Sequence, residues 1–148
     1  MKILIVENDS IKSNQVLSFL NDDLNFSVEN ITVKRSFQSG LEAILTMPFD
    51  LLILDMSIPT FDITATDDGG ETLDRGGEII LQEMEREEIS IQALILTQYE
   101  EFDNVSLEEI DNELRVQYSD FYLGCIYYNI SEDKWQNELR ETILKINI

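Results

Sequence analysis

The chain contains no histidine and only one cysteine, Cys125. Without histidine, neither the common hydrolase triads nor a phosphohistidine carrier can be built. A lone cysteine forms no disulfide within the chain and no thiolate metal cage, and this fits a reducing compartment. We therefore expect a cytoplasmic chain whose chemistry depends on other side chains.

Basic residues are also scarce: 10 Lys and Arg stand against 30 Asp and Glu, for a formal net charge of -20. A field of this sign repels phosphate backbones and anionic lipid headgroups. We expect no direct binding of nucleic acid or membrane, and partners that are basic or neutral proteins or cations. The aliphatic run at residues 3–6 is too short for a signal-peptide core or a membrane span.

What the chain does contain is 148 residues, 43% of them hydrophobic, enough for one domain with a core. Short apolar or alternating runs predict five strands, at residues 3–6, 26–34, 49–56, 91–97 and 121–128. Amphipathic patterns predict the intervening helices: from Ser10 to near Asn21, over 37–47, after Gly76 and Gly77, from Ser106 to Leu114, and after a cap at Ser131.

The alternation of strands and helices predicts a parallel sheet covered on both faces. We expect a doubly wound α/β fold of the flavodoxin-like type, a three-layer sandwich with strand order 2-1-3-4-5. In such sheets the ligand site lies beyond the carboxyl ends of the strands, between strands one and three. Glu7, Asn8 and Asp9 follow strand one, and Asp55 closes strand three.

Each of these polar residues could be a helix cap or a turn residue, but their joint placement indicates a site. Carboxylates gathered at adjacent strand ends repel one another and favour a hard divalent cation such as Mg²⁺. With that ion, a carboxylate at the tip of strand three can attack a phosphoryl group. The hydroxyl of Thr97, at the end of strand four, is placed to hydrogen-bond the product.

The segments KILIVENDS, FDLLILDMSIP and ALILT resemble the receiver domain of bacterial response regulators, over essentially the whole chain. The resemblance implies that Asp55 is the phosphoacceptor, that Glu7 and Asn8 occupy the positions of the acidic pair after strand one, and that Thr97 is the conserved hydroxyl. It also implies that the backbone carbonyl of Ser57 is a metal ligand beside Glu7, Asn8 and Asp55.

Two departures from the family concern charge. Asn8 stands where the family has a coordinating aspartate, so we expect weak Mg²⁺ binding, and whether Asp9 substitutes for Asn8 stays open. The family also places a lysine at the end of strand five. Cys125, Tyr128 and Asn129 are the candidates for that position under different registers, and none is cationic. We expect the carboxylates to lack a balancing lysine, which raises a carboxylate pKa or recruits a cation.

A third departure is an insertion at about residues 60–75, rich in Asp, Gly and Thr, which favours a functional or mobile loop. Its glycine pairs and aspartates do not have the spacing of a phosphate loop or a Ca²⁺ loop. Stacking of a flavin remains a minor alternative, because aromatic residues near a terminal strand are more often core or interface. The aromatic residues concerned are Tyr118, Tyr122, Tyr127, Tyr128 and Trp135.

The function predicted from these features is that of a stand-alone, non-enzymatic receiver formed by residues 1–148. It accepts a phosphoryl group on Asp55 from a histidine kinase and signals through contacts with a downstream protein effector. No segment after the fifth predicted helix is long enough for a DNA-binding output domain. The alternative is a phosphorylation-independent pseudo-receiver that acts as a protein-interaction module. Asn8 and the missing lysine favour this alternative.

Overall fold

Five parallel strands form the central sheet of the computed structural model, which describes residues 1–146. The strands are β1 (Ile3–Val6), β2 (Ile31–Lys34), β3 (Leu51–Leu54), β4 (Gln92–Thr97) and β5 (Tyr122–Tyr127). Their order is β2-β1-β3-β4-β5, and every neighbouring pair is parallel. The predicted flavodoxin-like sheet is confirmed.

Helices cover both faces of this sheet. They are α1 (Ser10–Ser18), which continues into a π-helical turn at Phe19–Asp23, α2 (Phe37–Thr46), α3 (Gly76–Arg86), α4 (Leu107–Gln117) and α5 (Lys134–Leu144). One buried core joins α1 and α5 to the sheet, and a second joins α2, α3 and α4 to its other face. The three-layer arrangement is confirmed. No helix within residues 1–146 combines the length and apolar character needed to cross a membrane.

Strands β1 and β3 are completely buried, because successive side chains contribute to opposite cores. Each fully buried aliphatic side chain stabilises the fold by roughly 1.5–3 kcal/mol. The register pairs Val6 with Leu54, so both strands end at the same level. The Asp55 N–H then donates to the Val6 carbonyl at 3.0 Å. The residues that follow, Glu7 and Asp55, therefore meet at one edge of the sheet.

Several predicted boundaries differ from the structure, and two of the differences have a clear local cause. Strand β2 begins at Ile31 rather than at residue 26, because Asn25 adopts a left-handed conformation with φ 62° and residues Val28–Asn30 form a 3-10 turn. Helix α5 is preceded by Asp133, not capped by Ser131. The Ser131 N–H instead donates to the Asn129 side chain at 2.9 Å, an Asx turn that takes up this donor before the helix begins.

The insertion is a hydrogen-bonded hairpin rather than an irregular loop. Ile58–Pro59 pairs antiparallel with Thr72–Leu73, and further along the Phe61 N–H donates to the Gly69 carbonyl at 2.9 Å. Little in the sequence indicates this pairing, since the two paired segments are short and lack the alternation of a buried strand. The hairpin departs from the sheet immediately beyond Asp55.

Residues 60–75 are still predicted to be more mobile than the sheet, because the segment combines a glycine pair with repelling aspartates. Its contact with α2 includes a hydrogen bond from the Ser39 hydroxyl to Asp62, at 2.9 Å and exposed to solvent. We expect amide hydrogen exchange in this segment to be faster than in β3, measured by mass spectrometry after proteolysis. Exchange as slow as that of β3 throughout residues 60–75 would contradict the prediction.

Gly77 lets α3 begin directly against the strand end that carries Asp55. Its N–H donates to the Met56 carbonyl at 3.0 Å. A Cβ at this position would meet the Asp55 carbonyl oxygen and would lie 3.1 Å from the Ile95 side chain. The backbone oxygen cannot move aside without moving Asp55, so the close packing requires glycine.

The variant Gly77→Ala should therefore lose roughly 1–3 kcal/mol of unfolding free energy through overpacking. This loss exceeds the gain of up to about 1 kcal/mol expected from the better helix propensity of alanine. Urea denaturation measures the difference. Gln82→Ala, at an exposed position of the same helix, is the control and should change stability by less than about 0.5 kcal/mol. A Gly77→Ala protein as stable as the control would refute the packing argument.

Candidate functional site

Two carboxylates lie buried at the carboxyl edge of the sheet. Glu7 follows β1 and is 4% exposed, and Asp55 follows β3 and is 6% exposed. Burial disfavours the charged form of each carboxylate, and their proximity adds repulsion. An arrangement of this kind needs a nearby positive charge or a bound cation.

Lys12 supplies that positive charge. Its ammonium nitrogen lies 2.5 Å from Glu7 Oε1 and 3.3 Å from Asp55 Oδ1, and donates to the Leu96 carbonyl at 2.6 Å. The side chain is 2% exposed, and its ammonium group lies against three oxygens. The expectation that no lysine balances the carboxylates is wrong: strand β5 offers none, but α1 does.

The position of Lys12 follows from the start of α1. Asp9 caps this helix by accepting from the N–H groups of Ile11 and Lys12, at 2.9 Å and 3.2 Å. Helical side chains lean toward the helix N-terminus, so the long Lys12 chain reaches back to the strand ends. Lys12 and Val16, four residues apart, are both buried on α1. This spacing was the sequence signal for an inward-facing lysine, and it was missed.

The helix cap also defines what Asp9 contacts. Its Oδ1 is engaged by the first turn of α1, and its N–H donates to Glu7 Oε2 at 3.0 Å. Within residues 1–146 the Asp9 side chain makes no hydrogen bond to Asp55. Asn8 is partly buried, and its backbone carbonyl accepts from Arg35 at 3.4 Å. The observed role of Asp9 is to cap α1, and whether it substitutes for Asn8 at a metal stays open.

Burial raises the pKa of Glu7 to about 7. The negative charge of Asp55 acts in the same direction, whereas the Lys12 ammonium and the Asp9 N–H oppose the shift. The desolvation of Glu7 is larger than the stabilisation by its partner. The sequence predicts a raised carboxylate pKa from repulsion between unbalanced carboxylates. The pKa of Glu7 is raised, but burial is the main cause and the charge of Asp55 adds to it.

Asp55 presents its two oxygens differently. Oδ1 accepts from the Met56 N–H at 2.8 Å and is contacted by Lys12. In the part of the chain that the structure describes, Oδ2 takes part in no hydrogen bond or ion pair with protein. One oxygen is therefore held in place, and the other remains available to a ligand.

Thr97 and Ser57 lie at the same edge. Thr97 is fully buried at the end of β4, the neighbour of β3, and its hydroxyl oxygen accepts from the Tyr99 N–H at 3.3 Å. Ser57 is partly buried, two residues beyond Asp55. Neither contacts the Asp55 carboxylate among the hydrogen bonds of residues 1–146. Their predicted roles as hydroxyl donor and metal-binding carbonyl stay predictions.

The three candidates at strand β5 supply no cation. Cys125 lies beside the Tyr122 hydroxyl at 2.8 Å, and burial raises the pKa of its thiol to about 12. The ring centre of Tyr128 is 5.6 Å from the Lys12 ammonium. Asn129 lines a surface pocket together with Lys12. Tyr128 thus contributes an aromatic face to the lysine that α1 provides.

The aromatic residues considered for flavin stacking are mostly core. Tyr118, Tyr122, Tyr128 and Trp135 are 1%, 7%, 3% and 1% exposed. Trp135 packs its ring against Phe19 and Tyr128, at centroid distances of 5.6 Å and 5.3 Å. These contacts support the interpretation of the aromatic residues as core rather than as a cofactor face.

The residues predicted to hold Mg²⁺ fit only a weakly bound ion. Lys12 already engages Glu7 Oε1 and Asp55 Oδ1, and Asn8 is neutral. Across residues 1–146 no group of three or more histidine, cysteine or acidic side chains is arranged to hold a metal. The remaining donors are the Asn8 amide, Asp55 Oδ2 and the Ser57 carbonyl, which together carry one negative charge.

Two related proteins match nearly the whole chain. The Detocs response regulatory protein DtcB of Vibrio alginolyticus is 27% identical over 145 residues, covering 94% of this chain and 97% of that protein. The uncharacterized protein y4jR of Sinorhizobium fredii is 22% identical over 152 residues, covering 99% of each. No protein-family model matches the chain.

Solved receiver structures have the same fold. The receiver domain of Francisella response regulator 1452 superposes with a TM-score of 0.60 at 19% identity, covering 97% of both chains. The phosphorylated cyanobacterial phytochrome response regulator RcpA gives 0.61 at 18% identity, covering 99% of this chain and 96% of that one. The chain has the fold of response-regulator receiver domains, and the resemblance predicted from the sequence is confirmed.

The raised pKa of Glu7 predicts that the stability of the protein depends on pH. A carboxyl whose pKa rises on folding binds its proton more tightly in the folded state, so its contribution to stability is lost as pH rises from about 4.5 to 7. In metal-free buffer, wild type should lose stability relative to Glu7→Gln across that range.

The variant Asp55→Asn should have a lower pKa at Glu7, because one repelling charge is removed. Carbonyl NMR measures this pKa. An unchanged Glu7 pKa in Asp55→Asn would contradict the coupling.

Proposed function

We propose that this chain is a receiver-type phosphoacceptor: Asp55 takes a phosphoryl group from a partner histidine kinase, and the modified protein signals through protein contacts. The observation that carries the proposal is the Asp55 carboxylate itself. It lies at the carboxyl edge of a receiver fold, with Oδ1 held by Lys12 and the Met56 N–H and with Oδ2 left to a ligand. A carboxylate held in this way is oriented for attack.

The transfer step uses Oδ2 as the nucleophile. Oδ2 forms a bond to phosphorus while the phosphorus–nitrogen bond of the donor phosphohistidine breaks, and the departing imidazole nitrogen takes a proton from solvent. Asp55 becomes an acyl phosphate. Lys12 and Met56 keep Oδ1 fixed during the step. The Thr97 hydroxyl accepts from Tyr99, which leaves its own hydrogen for a phosphoryl oxygen.

Mg²⁺ remains part of the proposal as a weakly held ion. Asn8, Asp55 and the Ser57 carbonyl are the groups that would hold it, with Glu7 nearby and paired to Lys12. Such an ion would supply positive charge to the phosphoryl oxygens. The low charge of the donor set, with the loss of an aspartate at Asn8, supports weak binding.

The surface beside the site supports output through protein contacts. A pocket of about 380 Å³ opens next to Lys12. Around it Ile11, Tyr99 and Ile130 are 59%, 46% and 56% exposed. Exposed apolar side chains at a pocket rim are typical of protein interaction sites. The net charge of -20 favours a basic or neutral protein effector over nucleic acid or an anionic membrane.

The alternative function, a phosphorylation-independent pseudo-receiver, is supported by one observation. The ion pairs of Lys12 with Glu7 and Asp55 neutralise part of the site without any ligand. A site stabilised in this way can keep its fold as a binding module even without phosphoryl transfer. The two functions differ in one property: whether Asp55 becomes modified.

Incubation with acetyl phosphate and Mg²⁺, followed by intact-mass measurement, tests the proposal. Wild type should gain one phosphoryl mass and Asp55→Asn none, because the variant lacks the nucleophile. Asp62→Asn, in the exposed hairpin, is the matched control and should be modified like wild type. If neither wild type nor Asp55→Asn is modified, the pseudo-receiver is supported. Modification of Asp55→Asn at the wild-type level would reject Asp55 as the acceptor.

A further inference from the structure

The Lys12 ammonium is buried inside the site. It is 2% exposed and contacts oxygens from three strand ends: Glu7 after β1, Asp55 after β3, and the Leu96 carbonyl of β4. The Tyr128 ring lies 5.6 Å away on a further side. Withdrawing this ammonium would leave two buried carboxylates without a neighbouring positive charge, which is strongly unfavourable.

The charges of the cluster determine what else can bind. Glu7 and Asp55 carry two negative charges when ionised, and Lys12 returns one positive charge, so the net charge is about -1 at high pH. Asp55 Oδ2 is open to a ligand, but a divalent ion that also bound Glu7 Oε1 or Asp55 Oδ1 would compete with Lys12 for those oxygens. It would also lie a few ångströms from a like charge, where the repulsion is large in a buried site.

We propose that the Lys12 ammonium is the resident cation of this site: it competes with divalent metal for Glu7 and Asp55, and it allows Asp55 to accept a phosphoryl group without that metal. The second half of the proposal rests on the function proposed above. The first half concerns metal binding alone. Lys12 acts here as a positioning residue, because it holds Asp55 Oδ1 while Oδ2 reacts.

Metal titration by calorimetry tests the competition without any phosphorylation. Lys12→Met should bind Mg²⁺ or Mn²⁺ at least about tenfold more tightly than wild type, because a positive charge in contact with the ligands has been removed. Lys12→Met combined with Asp55→Asn should lose this gain. Wild type that binds the ions as tightly as Lys12→Met would overturn the proposal.

Two control variants test whether metal affinity depends on the positive charge at position 12 or on the total charge of the protein. Lys12→Arg keeps the positive charge and should bind metal as weakly as wild type. Lys134→Met makes the same change of net charge at an exposed lysine of α5 and should also bind as weakly as wild type. A gain in metal affinity in Lys134→Met equal to that in Lys12→Met would assign the effect to total charge and refute a local competition.

A measurement on wild type keeps the test decisive if Lys12→Met does not fold. The buried ammonium should give a slowly exchanging NMR signal, since it is 2% exposed and lies against three oxygens. We expect this signal to persist unchanged up to about 10 mM Mg²⁺, because the ion does not displace a paired ammonium. Displacement of the signal below about 1 mM Mg²⁺ would overturn the proposal.

Phosphorylation of wild type in EDTA and in Mg²⁺ tests the second half. Acetyl phosphate should modify Asp55 at rates within about twofold under the two conditions, whereas Lys12→Met should need the ion. Modification of wild type only with Mg²⁺ would refute metal independence. If wild type is modified under neither condition, the phosphoacceptor function fails, while the calorimetry still decides whether Lys12 is the resident cation.

Discussion

The burial of two carboxylates at one edge of a sheet is the constraint on which the rest of the site depends. Glu7 and Asp55 are removed from water by the same packing that buries β1 and β3, and they can stay charged only beside an opposite charge. Lys12 meets that need, at the cost of a helix start that must lie close to the strand ends. The Asp9 cap fixes the start of α1, and Gly77 lets α3 begin close to Asp55.

Much of the fold could be predicted because its signals are local. Short aliphatic runs such as those of β1 and β3 indicate buried parallel strands whatever lies beyond them. The juxtaposition of Glu7 with Asp55 then follows from strand order. The start of β2 was misplaced, since an alternating pattern does not reveal the left-handed turn at Asn25 that delays the strand.

The site could be predicted only in part, because the sequence does not show which charged side chains are buried next to one another. Lysine side chains are normally exposed, so the sequence alone gives Lys12 no role, and the family resemblance points only to the end of strand β5 for a cation. Its burial depends on two carboxylates contributed by other elements, one of them 43 positions away in sequence, which no local pattern encodes. The hairpin that begins at Ile58 could not be predicted for a similar reason: backbone hydrogen bonds hold it together, and its side chains show no periodic pattern.

The spacing of Glu7 and Lys12 has a consequence for how the protein assembles. Five positions separate these residues, so the loop that brings their charges together is short and inexpensive to close. Contacts of low sequence separation are favoured early in folding. The pairing of β3 with β1 joins residues far apart in sequence and is therefore expected to form later. Asp55 therefore enters an edge where its counter-ion is already present, and its charge need not be buried alone at any stage of folding.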